Sequence, residues 1–495
     1  MANLSPHRVC VVVIILLICG TTELSQENVA TSRFPTALRP CKPNGVNEFL
    51  LCGKLTVFEN RGTKKGRTIN LNIIVLPSIG DRRHDPLFDL DGGPGAPDTK
   101  NAVFYATEGK QYRQGRDIVL VDQRGTGESN PLNCKPLSTS PSRALDEMYP
   151  VEYVKRCRQE LETKADLGLY TTEIAMDDLD DVRVWLGYQK IDLFGISYGT
   201  RAAQVYVRRH PNSAGQVVLL GAISTYHKMP LYHAPNAQRA MDLLLDECLA
   251  DKECKAAFPN IKLELTNLIE RLRQKPETAR YVDTKTGSID EMVIRADEFA
   301  EKLRNRLYSR GRSQDIPFIV HQAATGNFKP FLDRVRVAAG SLSFLSDGLY
   351  LSVTCAEDVP FINEAEASKL SKNNVFGEYR VFQQRRACQN WVRGKISPEF
   401  LKPVRSDVPL LVLSGTFDPV TPPSWGTEIV RRFKNGRQIV FPALAHEPDG
   451  VSNADCLDNI ALAFLSGTPA DKVDDTCTRN MLPGPFLISE PATKK

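Results

Sequence analysis

Hydrophobic positions follow three different rhythms along this 495-residue chain. Near the start, "KLTVFEN" and "TINLNIIVLP" alternate apolar and polar residues, which predicts two antiparallel strands joined by the turn-rich "RGTKKGR". "PLFDLDGGPG" and "RDIVLVDQRGTG" are instead short unbroken apolar runs that end in glycine-rich loops, as strands buried on both faces do. "TTEIAMDDLDDVRVWLGY" changes to helical spacing. Ile174, Leu179, Val182 and Leu186, with Val184 and Trp185 beside them, form one stripe, and Thr171 or Thr172 can cap it. The strand "IDLFGIS", the helix "TRAAQVYVRRHP" and the strand "GQVVLLGAI" follow. Strand, helix, strand, helix, strand is the signature of a parallel sheet with helical crossovers.

From Ser224 to Tyr350 the rhythm is helical. "APNAQRAMDLLLDECLA", "IKLELTNLIERLRQ", "IDEMVIRADEFAEKLRNRLY" and "IPFIVHQAATG" all read as helices. The strand–helix pattern then resumes with "VPLLVLSGTFDPVTPP", "WGTEIVRRF", "RQIVFPAL" and "NADCLDNIALAFLSG". The fold class expected is therefore α/β, one mostly parallel sheet interrupted by a helical cap. The sheet would be built from residues 41–223 and 351–482, with the cap at 224–350 and a loose stretch before residue 41.

The first residues break this picture. "MANLSPHRVCVVVIILLICGTT" carries one arginine, an apolar run from Val9 to Cys19, and then small residues. The run is short for a bilayer span and fits a secretory signal over residues 1–24, in preference to a buried helix. "LLIC" also hints at a lipid-attachment box ending at Cys19, although Ile18 stands where a small residue is wanted. Export changes the reading of the twelve cysteines, because an oxidising compartment lets them pair. Ten remain once Cys10 and Cys19 are removed. Sequence neighbours suggest Cys41 with Cys52, Cys134 with Cys157, Cys248 with Cys254, Cys355 with Cys388 and Cys456 with Cys477. Spacing alone leaves other connectivities open. With no C-x-x-C and no Cys/His cluster, no metal site is expected. Net charge is +4 without a basic run, which argues against a nucleic-acid partner.

Candidate chemistry starts at Gly195-Ile196-Ser197-Tyr198-Gly199, a G-x-S-x-G turn after a strand. A serine hydroxyl needs a base, and the base needs a carboxylate to orient it. Only His446, in "PALAHEPDG", follows the last strand. Of the others, His7 falls in the signal, and His84, His210, His227, His233 and His321 lie in the cap or before the final strands. Asp418, in "LSGTFDPVTP", lies just past a strand end, where α/β sites form, although Asp-Pro is also ordinary turn chemistry. Ser197, Asp418 and His446 thus stand in nucleophile–acid–base order. The Tyr198 N–H and a backbone N–H of the loop Gly92-Gly93-Pro94-Gly95, with Gly93 favoured, are the expected oxyanion donors. That loop lacks G-x-G-x-x-G spacing and a P-loop lysine, so a phosphate cradle is disfavoured and no cofactor is expected.

Together these motifs resemble the prolyl and tripeptidyl aminopeptidase family (proline iminopeptidase-like serine peptidases of the α/β-hydrolase superfamily). "DGGPG" is similar to its H-G-G-P-G loop, with Asp91 replacing the histidine. "DQRGTGES" is similar to its D-Q-R-G-x-G-x-S loop, in which Asp122, Arg124 and Ser129 are read as structural. The region from "PLLVLSGTFDPVTPP" to Cys477 resembles the secreted tripeptidyl branch. The resemblance implies a secreted or periplasmic serine exopeptidase acting on peptides with a free N-terminus. A carboxylesterase using the same three residues is the alternative, and a non-catalytic binding protein a third. An exopeptidase has to recognise a cationic α-amine. Glu357 and Asp358 are the candidates for that substrate-binding role, with Asp246 and Glu247 of the cap also considered.

Overall fold

A computed structural model of the chain describes residues 33–137, 145–282, 287, 289–339 and 345–490. The expected signal at 1–24 and Cys19 lie outside the described residues. Eleven strands follow one another: β1 Arg39–Cys41, β2 Leu50–Phe58, β3 Thr68–Leu76, β4 Leu87–Leu90, β5 Ile118–Val121, β6 Ile191–Ile196, β7 Ala214–Leu220, β8 Glu277–Val282, β9 Ile289–Ile294, β10 Leu410–Gly415 and β11 Gly436–Phe441. Nine of them form one sheet in the order β1-β2-β3-β5-β4-β6-β7-β10-β11. The two alternating segments become β2 and β3, antiparallel from Leu51↔Val75 to Phe58↔Thr68. From β5 onward every neighbouring pair is parallel. β4 and β5 are buried at every position, which is why their sequences run apolar without alternation.

Alternate side chains of the same strands feed two separate cores. Ile73, Val75, Val119, Leu193, Val217 and Val412 pack on one face. Ile74, Leu76, Leu120, Phe194, Val218 and Leu413 pack on the other. The helices Thr172–Trp185 and Tyr198–Arg209 lead into and out of β6, and Pro423–Val430 connects β10 to β11. A third core, with Met241, Leu244, Leu268, Phe299, Ile319 and Phe331 among its members, belongs to the inserted block. That block contains the helices His233–Ala250, Ile261–Gln274, Ala296–Arg306, Ile316–Ala324 and Lys329–Ala339.

Three expectations change. "IDEMVIRADEF" is not one helix. Its first six residues are β9, paired antiparallel with β8, and the helix starts only at Ala296. Met292 and Ile294 point inward while Glu291 and Val293 face out, a period-two pattern hidden by the helical residues that follow. Val184 lies off the buried stripe of its helix and is exposed. The cap boundary expected at residue 350 falls inside a helix, Asp347–Glu357, whose Leu349, Leu351 and Val353 pack into the sheet's own core.

Among the described residues there are five disulfides: Cys41–Cys52, Cys134–Cys157, Cys248–Cys254, Cys355–Cys388 and Cys456–Cys477. The widest loop spans 33 positions (Cys355–Cys388) and the narrowest 6 (Cys248–Cys254). Loop-closure entropy grows with the logarithm of loop length. It assigns the first bond about 4 kcal/mol of stabilisation and the second about 2 kcal/mol. Paired serine substitutions compared by urea denaturation are expected to reproduce that order. Equal losses would show that the bonds act through native packing instead.

Candidate active site

The carboxyl ends of β4, β6, β10 and β11 open onto one edge of the sheet, and the candidate residues gather there. Ser197 directly follows β6 with φ 55° and ψ −119°, a left-handed backbone that costs a non-glycine residue roughly 1–3 kcal/mol. Neighbouring chain holds it in place. Ser197 N–H donates to Leu220 O at 2.9 Å, and Thr200 donates to Ser197 O through its N–H (3.0 Å) and its hydroxyl (2.6 Å). The flanking glycines are required by space. A Cβ on Gly195 would lie 2.6 Å from Gly199 O, and a Cβ on Gly199 would overlap the carbonyl oxygen of Leu90 at the end of β4.

Asp418 is fully buried, and both of its carboxylate oxygens are occupied. Oδ1 accepts from the N–H groups of Val420 and Thr421, each at 2.7 Å. Oδ2 accepts from the Thr421 hydroxyl at 2.6 Å and meets His446 Nδ1 at 2.7 Å. Burial pushes Asp418 up, but the charge and hydrogen bond of His446, with the Thr421 bonds, hold it below the usual carboxylate value. Burial pulls His446 down, but the charge and hydrogen bond of Asp418 outweigh it, and the imidazole stays above the ordinary histidine value. Pairing through Nδ1 leaves Nε2 for a substrate-side partner. The His446 ring lies over Gly221, where a Cβ would meet Cε1 at 3.1 Å. Gly221 follows the residue whose carbonyl anchors Ser197, so the end of β7 brings the imidazole and the serine to one place. Ser197 Oγ donates no hydrogen bond among the described residues. In unliganded enzymes that contact commonly tightens only when substrate arrives.

Tyr198 begins the helix after Ser197, so its N–H has no intrahelical carbonyl to reach. The glycine loop passes close to Ser197. A Cβ on Gly92 would lie 3.0 Å from Ser197 Cβ and 3.5 Å from its Oγ. The next peptide supplies the N–H of Gly93, whose φ of 112° suits glycine alone. The Asp91 carboxylate serves its own loop, accepting from Gly92 N–H at 2.6 Å and pairing with Lys100 at 2.9 Å. Beneath it, Asp122 accepts from the N–H groups of Thr99 and Glu128, both at 3.0 Å. Ser129 Oγ accepts from Asn72 N–H at 2.8 Å, and Arg124 grips Asp178 through two bonds of 2.6 and 2.9 Å. The "DQRGTGES" loop is thus a scaffold.

Glu357 and Asp358, expected to bind a substrate amine, both lie buried against partners within the chain. Glu357 is 0% exposed and Asp358 2%. Glu357 accepts from Thr172 N–H at 2.6 Å and from the Thr172 hydroxyl at 2.7 Å, which itself meets Tyr198 OH at 2.7 Å. It therefore caps the helix Thr172–Trp185 in place of a threonine side chain. Burial pushes Glu357 up to about 8, against the pull of Arg201 and Thr172. Asp358 takes two bonds of 3.0 Å from Arg201 and one of 2.9 Å from Met229 N–H. The other acids considered are also paired, Asp246 with Lys262 and Glu247 with Arg310. Sequence reasoning named Thr172 only as a helix cap and missed Arg201 and Thr421. Only Thr421 left a local signal, a threonine three residues after an aspartate in a turn.

Of the other histidines, His233 is buried within electrostatic reach of His446, and three more have partners of their own. His227 stacks on Trp425 at 4.0 Å, His210 meets Asp177 at 3.0 Å, and His321 meets Glu264 at 2.9 Å. Among the described residues no group of three or more His, Cys, Asp or Glu side chains could hold a metal ion.

A family model for the alpha/beta hydrolase fold matches residues 90–448. The chain is 23% identical over 464 residues to a tripeptidyl aminopeptidase of Streptomyces lividans, covering 88% of this chain and 84% of that one. It is 23% identical over 472 residues to the serine protease Hip1 of Mycobacterium tuberculosis, covering 88% and 89% respectively. A shorter match, 27% over 150 residues, relates 30% of it to 36% of a probable proline iminopeptidase of Streptomyces coelicolor.

Two substitutions test this geometry. Removing Asp358's charge strands a buried Arg201, so Asp358→Asn is expected to lower stability by roughly 3–5 kcal/mol. A rise in KM at unchanged melting temperature would instead restore a substrate-binding role. Gly199→Ala pushes the turn at Ser197 off β4 and is expected to cost about 10² in kcat. Gly484→Ala, where no atom lies within 4 Å of an added Cβ, is expected to leave activity unchanged.

Proposed function

Because the chain belongs to the family with the alpha/beta hydrolase fold, we propose that it is a serine aminopeptidase. In this reading it releases N-terminal residues or short peptides, of proline or tripeptide type, through an acyl-enzyme on Ser197. One observation carries the reading. A buried Asp418–His446 hydrogen bond of 2.7 Å sits at the same sheet edge as a serine in a left-handed turn. Relatives named as aminopeptidase and serine protease, matched over 88% of the chain, support the peptidase class.

The chemistry follows from the positions. His446 Nε2 takes the proton of Ser197 Oγ as the oxygen attacks the scissile carbonyl carbon. Asp418 holds Nδ1–H, which fixes the tautomer and favours the imidazolium that forms. The N–H groups of Tyr198 and Gly93 receive the oxyanion. When the tetrahedral intermediate collapses, His446 returns the proton to the leaving amine. Water, deprotonated by the same imidazole, then hydrolyses the ester and frees Ser197. The inserted helical block would roof this edge and limit access. The signal-like start and the five disulfides favour an extracellular or periplasmic setting. No helix among the described residues is long and apolar enough to cross a membrane.

The carboxylesterase reading gains from one observation, that Glu357 and Asp358 have internal partners and no free oxygen to offer an α-amine. Substrates decide between the two. Free peptidyl amides should turn over and N-blocked ones should not; turnover of simple esters alone favours the esterase. Ser197→Ala is expected to abolish activity on either class, and amide turnover that survives it removes the mechanism.

pH dependence has a definite sign. Protonated His446 cannot accept the serine proton, so kcat/KM falls as pH drops through the imidazole pKa. Since Asp418 raises that pKa, the acid limb should lie above the ordinary histidine value. Asp418→Asn is expected to lower kcat by about 10⁴ and move the limb to lower pH. An unmoved limb would mean that another group controls it.

A further inference from the structure

The inserted block does more at this edge than cover it. The helix His233–Ala250 sends Arg239 down to the loop that carries Asp418. Its Nη1 donates to Thr416 O at 2.7 Å and its Nη2 to Asp418 O at 2.5 Å. The guanidinium thus clasps both ends of the turn at Phe417. Asn236, one turn earlier on the same helix, donates to Val420 O at 2.8 Å just beyond the acid. A second segment, after the helix Ala296–Arg306, docks on the loop that carries His446. Glu447 N–H donates to Tyr308 O at 2.8 Å, and the Tyr308 ring meets the His446 imidazole edge-on, centroids 5.1 Å apart at 80°. Ser309 Oγ donates to Asp449 at 2.7 Å, and a Cβ on Gly450 would overlap Gly311 N, so the two backbones touch. Tyr308 is held in turn by Arg304, whose Nη1 donates to its hydroxyl at 3.0 Å and whose other nitrogens grip Glu301.

Asp418 and His446 come from separate loops of the sheet, after β10 and β11, yet the inserted block touches both loops. We propose that Arg239 and Tyr308 are positioning residues that hold the acid and base loops in register. Neither touches the reacting atoms. Arg239 acts through the backbone of Asp418, and Tyr308 through the ring of His446. Arginine suits the first task because its planar fork spans two carbonyls, whereas a lysine presents a single point charge. A roof fixed to both loops in this way does not swing open without loosening the pair beneath it. The proposal rests on the assignment of Ser197, Asp418 and His446 made above, but not on the substrate class.

The test reads the serine directly. A fluorophosphonate forms an Oγ–P bond at the activated serine and releases fluoride, whatever the natural substrate. Arg239→Met is expected to slow inactivation and lower kcat by about 10², to leave KM near its original value, and to move the acid limb of the inactivation rate to lower pH. The direction follows from a slackened Asp418–His446 bond. Charged or titratable groups facing His446 are Asp418, Glu447, Arg304, His233 and the Tyr308 phenol; Arg239→Met alters none of these, and the charge it removes acts on Asp418. Tyr308→Leu should act in the same direction, and Tyr308→Phe, which keeps the ring, should retain most of the rate.

Arg271 is the matched control. It also spans two carbonyls, Ala324 O at 2.8 Å and Ala323 O at 2.9 Å, within the inserted block and off both loops. Arg271→Met should lower the melting temperature without changing rate or limb. Arg239→Met behaving as Arg271→Met does, once corrected for folded fraction, overturns the positioning role alone. Wild-type protein that the fluorophosphonate does not label at Ser197 removes the catalytic assignment and this proposal with it.

Discussion

Asp418 has no contact with solvent, and its four short contacts come from two backbone N–H groups, one hydroxyl and one imidazole. A carboxylate in that position stays charged only because those donors replace water. The same donors fix its direction, leaving one oxygen aimed at His446 Nδ1. The imidazole orientation, the free Nε2, and hence any activation of Ser197 descend from this buried charge. Thr421 is central to it, since its N–H and hydroxyl serve both oxygens and its Oγ1 also lies 3.2 Å from His446 Nδ1.

Buried carboxyl groups also hold the turn around Ser197. Glu357 caps one helix through Thr172 and reaches Tyr198 through the threonine hydroxyl, while Asp358 and Arg201 form a two-bond pair against the helix that Tyr198 begins. The turn at Ser197 is held in an unfavourable backbone conformation, and such strain persists only where the surroundings over-determine it. The Thr172–Tyr198 link, the Thr200 bonds, the Leu220 anchor and the contact of Gly199 with β4 are four independent constraints on that one turn. The disulfide between Cys355 and Cys388 closes on the same segment two residues before Glu357.

The inserted block has its own core, and it also makes polar contacts with the two loops that carry Asp418 and His446. A parallel sheet supplies strand ends at one edge but does not by itself hold the long loops beyond them. Side chains from a separately packed layer can do so, and Arg239 and Tyr308 lie where that layer meets the edge.

Sequence by itself determined the sheet and the candidate triad. Unbroken apolar runs marked the buried strands, helical stripes marked the crossovers, and G-x-S-x-G, Asp418 and His446 stood in the order that an α/β sheet folds into one edge. These signals are legible because they are local, or because chain order and strand direction convert directly into place. Tertiary structure alone decided which acids are free. Glu357 and Asp358 look like an exposed acidic pair in "CAED", and only the packing of Thr172 and Arg201, more than 150 residues away, takes their oxygens. The β8–β9 hairpin was hidden for a different, local reason: six alternating residues abut a strong helix, and pairing with the strand just before them overrides that helical propensity. Contacts like those of Thr172 and Arg201 join residues whose sequence separation carries no pattern, so burial and partner become visible only when the chain has closed on itself.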